Sequence, residues 1–186
     1  TAFEEAHTTI KSLPVNDVYI LDQTNSELFS YPSIHQNFIQ NIYDGLLEGK
    51  SRLDKYKKLI IIFPGFREPL GMKIGFLNFC KDFGFEHEVI TEFKHRSITP
   101  GEVYVIPSDR DLVRVIEKAK SQQLTIGQDY GIISYNETPL KKIVENGITT
   151  ISTDFEQMGK ILAEMILKGR KEQIENTCKL LLRSSL

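Results

Sequence analysis

Short apolar runs rich in Val, Ile and Leu alternate along the chain with longer segments whose apolar residues recur at helical spacing. The six strand-like runs are 18–21, 59–63, 103–106, 131–134, 148–152 and 179–182. Most of these runs are apolar almost throughout, as is typical of parallel strands covered by helices on both faces. The helical stripes between them lie within 34–47, 76–83, 112–119 and 158–166. The pattern predicts an α/β fold with parallel sheets.

Polar residues cluster directly after the predicted strands. They are Asp22, the loop 64–71, the segment 107–111 and the segment 135–138. In an open α/β sheet, ligands bind outside the carboxyl ends of the strands. We therefore expect the chemistry of this chain at these positions.

Two segments do not fit the alternation of strands and helices. Residues 23–33 are rich in Asn, Ser and Thr, and we interpret them as a long connection between two lobes, with a hinge near 23–34. Residues 91–102 are interpreted as a surface loop because few of them are apolar. A helix over 2–11 leads into the first strand, so we expect the chain to be a fragment of a longer polypeptide that begins within a βαβ series.

Composition excludes several classes of protein. The chain has 186 residues, 40% apolar and 26% charged, with a formal net charge of −2, which is typical of an ordinary globular domain. No stripe of Lys and Arg is present that would neutralise a phosphate backbone, so we do not expect this chain to bind DNA by itself. We expect neither a membrane span nor a signal peptide. Cys80 and Cys178 lie in separate apolar runs and are predicted to be buried, reduced thiols, which favours a cytoplasmic protein.

Two aspartates are the strongest candidates for a binding role. Ser108 and Asp111 fit the S-x-x-D form of a helix capping box, and this cap does not need Asp109. The carboxylate of Asp109 is suited to accept hydrogen bonds from two vicinal hydroxyls of a sugar. Asp22 is either a turn residue or a second ligand contact that faces Asp109.

The loop 63–71 reads F-P-G-F-R-E-P-L-G and has neither the G-K-[ST] ending of a P-loop nor a G-x-G-x-x-G motif. Phe66 is interpreted as an apolar platform for a sugar ring or as a core residue, and Lys73 as a ligand contact or a solvated charge. The chain contains no H-E-x-x-H or G-x-S-x-G motif. These observations favour binding over catalysis, with no catalytic residue, metal or cofactor.

The last third of the chain resembles a known family. The segments Y-G-I-I-S-Y-N at 130–136, I-T-T-I-S-T-D-F-E-Q-M-G at 148–159 and L-L-L-R-S at 180–184 are similar in order and spacing to the end of the sugar-responsive LacI/GalR repressor core. In that family a strand ending in G-[FY]-[DN] precedes a [LI]-T-T-[VI] strand, a D-x-x-x-[ML]-G helix start and a terminal R-x-S. Earlier segments that resemble strands of the same core are 18–22, 59–76 and 103–112.

The resemblance implies a two-lobed, periplasmic-binding-protein-like fold that lacks much of its first lobe. It assigns residues 1–34 to a remnant of the N-terminal lobe, 35–134 to the C-terminal lobe, 135–150 to a return to the N-terminal lobe, and 151–186 to a closing segment of the C-terminal lobe. It also implies that Asp22 and Asp109 contact sugar hydroxyls, and that Tyr135, Asn136 and Glu137 lie at the crossing between the lobes, with Tyr135 and Asn136 as ligand contacts. The chain departs from the family at Met72, beside Lys73, where the repressors place a ligand-binding arginine.

The function that the resemblance implies is sugar sensing in transcription. We expect the effector-binding and dimerising part of a bacterial transcriptional regulator, which contacts DNA only through an upstream domain and forms a homodimer. The connection 23–33 and the F-P-x-x-x-x-P loop are similar to the variant of this core fused to GntR-type winged helices, which implies an arabinose- or fucose-type effector. The alternatives are an exported sugar-binding protein of a transporter and an enzyme of sugar-phosphate metabolism.

Overall fold

The computed structural model describes residues 2–65 and 68–186, which fold into two units. The small unit comprises residues 2–37 and Thr153–Cys178, and the large unit comprises Phe38–Ser152 and Lys179–Leu186. The chain passes from one unit to the other after residues 37, 152 and 178.

The small unit is built on a three-stranded parallel sheet with the strand order β1-β2-β8. Its elements are α1 (Ala2–Lys11), β1 (Ile20–Asp22), β2 (Ser33–His35), α6 (Phe155–Leu167) and β8 (Gln173–Glu175). A small core of Ile20, Leu28 and Tyr31 lies beside the sheet. The Tyr31 hydroxyl donates a hydrogen bond to the carbonyl oxygen of Ile10 at 2.9 Å and so holds the end of α1 against this core.

The large unit contains a six-stranded sheet with the order β4-β3-β5-β6-β7-β9. Its elements are α2 (Phe38–Glu48), α3 (Lys50–Leu53), β3 (Lys58–Ile62), α4 (Leu70–Phe83), β4 (Glu86–Ile90), β5 (Glu102–Ile106), α5 (Asp109–Ser121), β6 (Gly131–Tyr135), β7 (Thr149–Thr153) and β9 (Cys178–Leu181). The neighbouring pairs from β4 to β7 are all parallel. Every residue of β5, β6 and β7 is buried, which confirms the prediction of parallel strands covered on both faces.

Three strands were absent from the sequence prediction. They are β2, β4 and β8. Strands β2 and β8 have only three residues each, and β4 is a polar strand, E-H-E-V-I, at the edge of its sheet. The helix predicted within 34–47 begins later than expected, at Phe38, because Ile34 belongs to β2.

Residues 91–101 form no helix or strand and most of them are exposed, which confirms the predicted surface loop, but the inference that the loop buries too little apolar surface to be ordered is wrong. Phe93 and Ile98 are 4% and 2% exposed and belong to the core of the large unit, with Tyr104 among its buried members. The rings of Phe93 and Tyr104 make an edge-to-face contact with their centroids 5.6 Å apart. This segment therefore covers one face of the sheet beside β5.

The boundaries between units also differ from the prediction. All of residues 23–34 lie in the small unit, so the chain does not cross there. Residues 135–150 stay in the large unit because β6 and β7 pair directly, with Ile133 opposite Thr149. The connection between these strands is thus local to one sheet, and no return to the other unit occurs within it.

Both cysteines are reduced thiols. Cys80 is buried in α4, and its burial raises the pKa of the thiol to about 12, whereas Cys178 is half-buried. Across the described residues, none of the helices combines the length and the apolar character required to cross a membrane.

Candidate functional site

The carboxyl edge of the six-stranded sheet brings together residues from several strand ends. Asp109 begins α5 shortly after β5. Tyr135 is the last residue of β6, the neighbour of β5 in the sheet, and Asn136 follows it. Because parallel strands end at the same edge, residues far apart in sequence become neighbours here. This edge of the large unit is the candidate site.

One buried lysine joins these strand ends. The side chain of Lys141 is 4% exposed, and its Nζ lies 2.9 Å from Asp109 Oδ1. The same Nζ donates hydrogen bonds to the carbonyl oxygens of Tyr135 and Asn136, each at 2.9 Å. The carboxylate of Asp109 is 68% exposed, so an anchored acidic group faces solvent at this edge.

Asn136 has the conformation and the free oxygen of a binding residue. Its φ of 60° lies in the left-handed region, which asparagine tolerates better than most residues. Its backbone N–H donates to the carbonyl oxygen of Ile151 at 2.8 Å. Its side-chain Oδ1 is buried and has no hydrogen-bond partner among the described residues. A buried acceptor of this kind is costly unless a ligand or water satisfies it.

Glu137 lies next to Asn136 in a partly buried cluster of polar groups. Its Oε2 accepts hydrogen bonds from Thr150 Oγ1 at 2.7 Å and from Arg183 Nη1 at 2.8 Å. Burial disfavours the charged carboxylate, but these two hydrogen bonds and the positive charges of Arg183 and Lys142 together outweigh it and lower the pKa of Glu137. The other oxygen, Oε1, is buried and unpartnered among the described residues. Two adjacent residues thus present unsatisfied acceptors.

The ring of Tyr135 lies beneath this edge, and a ligand contact by Tyr135 stays a prediction. The side chain is 5% exposed, and its ring packs against that of Phe38 with the centroids 6.2 Å apart. Its backbone carbonyl accepts the hydrogen bond from Lys141. The ring of Tyr135 therefore belongs to the core beneath the edge.

A cavity of about 480 Å³ opens at the same edge of the sheet, beyond β5. Its described lining residues are Pro64, Glu68, Thr91, Glu92, Ser108, Arg110, Asp111 and Arg114. The predicted capping box is not formed, because the Ser108 side chain makes no cap hydrogen bond and Asp111 Oδ1 instead pairs with Arg114 Nη1 at 3.2 Å. Charges of both signs and two hydroxyls line this cavity, which suits a polar ligand with several hydrogen-bonding groups.

The small unit has its own polar carboxyl edge. Asp22 has a φ of 76°, and its Oδ1 accepts a hydrogen bond from Gln36 Nε2 at 2.6 Å. His35 ends β2. Burial lowers the pKa of its imidazole, and the nearby negative charge of Glu175, which acts to raise it, does not fully offset this effect. Asn176 is 3% exposed and donates from Nδ2 to Thr153 Oγ1, leaving its own Oδ1 without a partner among the described residues.

The predicted site residues are therefore distributed as follows. Asp109 and Asn136 converge on one lysine in the large unit, and Asp22 lies at the end of β1 in the small unit. Lys73 is half-buried in α4, next to the buried Met72, and Phe66 lies outside the described residues. That Asp22 and Asp109 face each other stays a prediction.

Sequence reasoning missed Lys141. It lies in T-P-L-K-K, where nothing distinguishes it from the exposed Lys142 that follows it. Thr91 and Glu92 were missed as well because β4 was not recognised, and they come directly after its last residue. Among the described residues, no three His, Cys, Asp or Glu side chains are grouped so that they could hold a metal ion.

The sequence is similar to a protein family and to a curated transcriptional regulator. The sequence model of the periplasmic binding protein-like domain matches residues 78–185, more than half of the chain. The HTH-type transcriptional regulator KdgR of Bacillus subtilis (strain 168) is 32% identical over 81 residues, which are 40% of this chain and 24% of that protein. The chain thus spans about a quarter of the length of this curated relative.

Solved structures share the fold. A LacI family transcriptional regulator from Lactobacillus casei with bound glucose superposes with a TM-score of 0.75 at 15% identity, over 98% of this chain and 74% of that one. A LacI family regulator from Enterococcus faecalis V583 with bound ribose gives a TM-score of 0.69 at 17% identity, over 95% and 70%. At these identities the likeness shows the fold, and it confirms the predicted periplasmic-binding-protein-like architecture of the LacI core.

Proposed function

We propose, from the premise that the chain belongs to the family of periplasmic binding protein-like domains, that it is the sugar-binding effector domain of a transcriptional regulator. The observation that carries the proposal is the edge of the large unit, where Asp109 and Asn136 are held by one buried ammonium group. An anchored carboxylate beside unpartnered amide and carboxylate oxygens offers several acceptors to the hydroxyl groups of a sugar.

The role in transcription is supported by the relatives. The regulator KdgR is similar in sequence, and the structural neighbours with bound glucose and ribose are named as LacI family regulators. An exported sugar-binding protein, the alternative, would share the fold. Experiments in cells distinguish the two. A regulator predicts transcription that responds to sugar in the parent but not in a variant that cannot bind sugar. An exported binding protein predicts sugar uptake that requires this protein.

Finer features belong to the same proposal. They are a cytoplasmic location, an arabinose- or fucose-type effector, a fusion to a GntR-type winged helix that contacts DNA, and a homodimer. Support for the dimer comes from Leu140 and Ile143, which are 68% and 73% exposed in the connection after β6 of the large unit. Sedimentation velocity at several protein concentrations measures this association directly.

The proposed mechanism needs only a difference in affinity. If the sugar binds one arrangement of the two units more tightly than another, binding shifts the population toward the first. A coupling of about 1–3 kcal/mol changes DNA affinity by roughly 5- to 150-fold. Binding therefore regulates without any chemical step.

Calorimetric titration with monosaccharides tests the proposal. The panel contains L-arabinose, L-fucose, D-glucose and D-ribose, and we expect at least one to bind saturably. The absence of heat from all of them, with protein shown to be folded by circular dichroism, would contradict sugar binding.

Asp109→Asn tests the site within the same experiment. The substitution removes the negative charge but keeps the shape, and we expect affinity to fall by about 10- to 100-fold because hydrogen bonds to charged groups contribute about 1.5–3 kcal/mol. Glu117→Gln removes an exposed charge from the same helix, α5, and serves as the matched control with unchanged affinity. Unchanged affinity in Asp109→Asn would remove Asp109 from the site.

A further inference from the structure

We propose that Lys141 is a positioning residue that fixes the Asp109 carboxylate and the Asn136 turn in their binding geometry before the ligand arrives. This inference rests on the proposed function, because it concerns the same edge of the large unit. Lys141 itself is too buried, with 4% of its side chain exposed, to present its ammonium group to a ligand.

Three acceptors surround the ammonium group of Lys141, one for each of its donors. A lysine ammonium has three donors, and here the three acceptors are Asp109 Oδ1 and the carbonyl oxygens of Tyr135 and Asn136. Burying an ammonium group without such partners is strongly unfavourable. The side chain therefore holds all three acceptors together, and displacing any one of them leaves part of a buried charge unsatisfied.

The backbone around Lys141 is fixed independently of its ammonium group. Its N–H donates to the carbonyl oxygen of Thr138 at 3.1 Å, and its carbonyl oxygen accepts from the N–H of Ile148 at 2.7 Å. Ile148 is fully buried and immediately precedes β7. The lysine thus extends from a rigid support toward the strand ends that it joins.

Asp109 gains a fixed orientation from this contact. Its side chain is 68% exposed at the start of α5, where an isolated carboxylate would sample several rotamers. The ion pair engages Oδ1, so Oδ2 keeps its lone pairs for a ligand. Because the rotamer is already selected, a sugar that accepts this geometry does not have to order the side chain on binding.

The turn at Asn136 is held by the same group. Two consecutive carbonyl oxygens, of Tyr135 and Asn136, point at one cation while Asn136 adopts a φ of 60°. The turn places the unpartnered Oδ1 of Asn136 and Oε1 of Glu137 in adjacent residues. A cation that attracts both carbonyl oxygens stabilises this otherwise uncommon conformation.

Hydrogen exchange of the intact chain tests the effect on the turn. Lys141→Met removes the charge, and we expect the amide protons of Asn136 and Glu137, which bond to Ile151 O and Ser152 Oγ, to exchange at least about 10-fold faster. Lys142→Met is the matched control, since it removes the same charge from the exposed neighbouring residue. Unchanged exchange in Lys141→Met, or equal acceleration at all amides of the sheet, would overturn the proposal.

Asp109→Asn distinguishes the ion pair of Lys141 with Asp109 from its hydrogen bonds to the two carbonyl oxygens. The variant also keeps the buried lysine side chain in place. Since the lysine keeps both carbonyl partners in this variant, we expect exchange at Asn136 and Glu137 to stay within about threefold of the parent while sugar affinity falls. Faster exchange at these amides in Asp109→Asn would show that Asp109, and not the lysine alone, holds the turn.

A double-mutant cycle between Lys141→Met and Asp109→Asn tests the effect on the ligand. If the lysine acts on the sugar through Asp109, the double variant should bind no more than about threefold more weakly than the weaker single variant. Independent, purely structural contributions would instead multiply, and that outcome would overturn the proposal. If no sugar binds the parent chain, the proposed function fails, and the exchange data still decide whether Lys141 orders the turn.

Discussion

Gly75 shows how one absent side chain sets the distance between two helices. A Cβ at this position of α4 would lie 2.2 Å from the carbonyl oxygen of Ile39 in α2. Because the obstacle is backbone, no rotamer change could relieve the overlap. Gly75 therefore permits α2 and α4 to pack closely on one face of the large unit.

Gly75→Ala should lower the free energy of unfolding by about 1–3 kcal/mol, the usual cost of overpacking a core. Gly159→Ala in α6 is the matched control, since a Cβ there meets no atom within 4 Å. That variant should be more stable than the parent by about 0.5–1 kcal/mol, because alanine is the better helix former. Urea unfolding of both proteins measures the difference, and equal stabilities would contradict the close approach.

At the scale of elements, a network of ion pairs attaches the segment 91–102 to the neighbouring part of the sheet, through Glu88 in β4 and Glu102 in β5. Arg96 donates to both oxygens of Glu88 in β4, at 2.7 and 3.0 Å, and to Glu102 Oε1 in β5 at 3.1 Å. Glu102 Oε2 in turn accepts a hydrogen bond from the buried Tyr104 hydroxyl at 2.6 Å. The network fixes the polar end of a segment whose apolar residues, Phe93 and Ile98, enter the core.

The pKa of Glu88 predicts how stability depends on pH. Hydrogen bonds from Arg96, and then from Lys58, lower the pKa of Glu88 from about 4.5 to about 2. A lowered carboxyl pKa contributes stability that is complete above pH 4.5 and is lost as the pH falls toward 2. Arg96→Met should therefore cost about 1–2 kcal/mol at pH 7, a value reduced for solvent screening, and progressively less below pH 4.5.

Denaturant unfolding between pH 2 and pH 7 measures this dependence. Arg170→Met is the control, because Arg170 pairs with Glu172 at the surface and its loss should change stability little at any pH. A difference between the Arg96→Met protein and its parent that stays constant down to pH 2 would show that the ion pair with Glu88 does not contribute.

At the scale of the whole molecule, charge limits what this chain can bind. The 25 acidic residues slightly outnumber the 23 Lys and Arg, which gives a net charge of −2. Affinity for DNA without sequence specificity depends on neutralising phosphates with a basic surface. With no excess of positive charge, this chain is not expected to bind DNA strongly by itself.

We expect no mobility shift of duplex DNA by this chain at about 10 μM protein and low salt, conditions under which a basic surface would bind. A known basic DNA-binding protein provides the positive control. Retardation that weakens with increasing salt would show that the chain has a phosphate-binding surface of its own.

The sequence by itself determined the parallel α/β architecture and the edge at which to look for binding. Strands β3, β5 and β6 were recognisable because they are buried on both faces and therefore mostly apolar. Strand β7 is equally buried but reads T-T-I-S-T, and its β-branched residues indicated a strand. The helical stripes 76–83 and 158–166 fall within α4 and α6, and the glycines that follow them, Gly84 and Gly169, adopt the positive φ that commonly ends a helix. These features depend on residues close together in the chain, so their pattern is visible without the fold.

Only the tertiary structure decided which residues meet. Strands β2 and β8 are too short to carry a pattern, and β4 is polar because its edge position leaves it partly exposed. Lys141 became a central residue because folding places its ammonium group beside Asp109, 32 positions away, and beside two carbonyl oxygens of β6 and its turn. Hydrogen bonds between distant residues depend on the packing of whole elements, and no local sequence pattern records that packing.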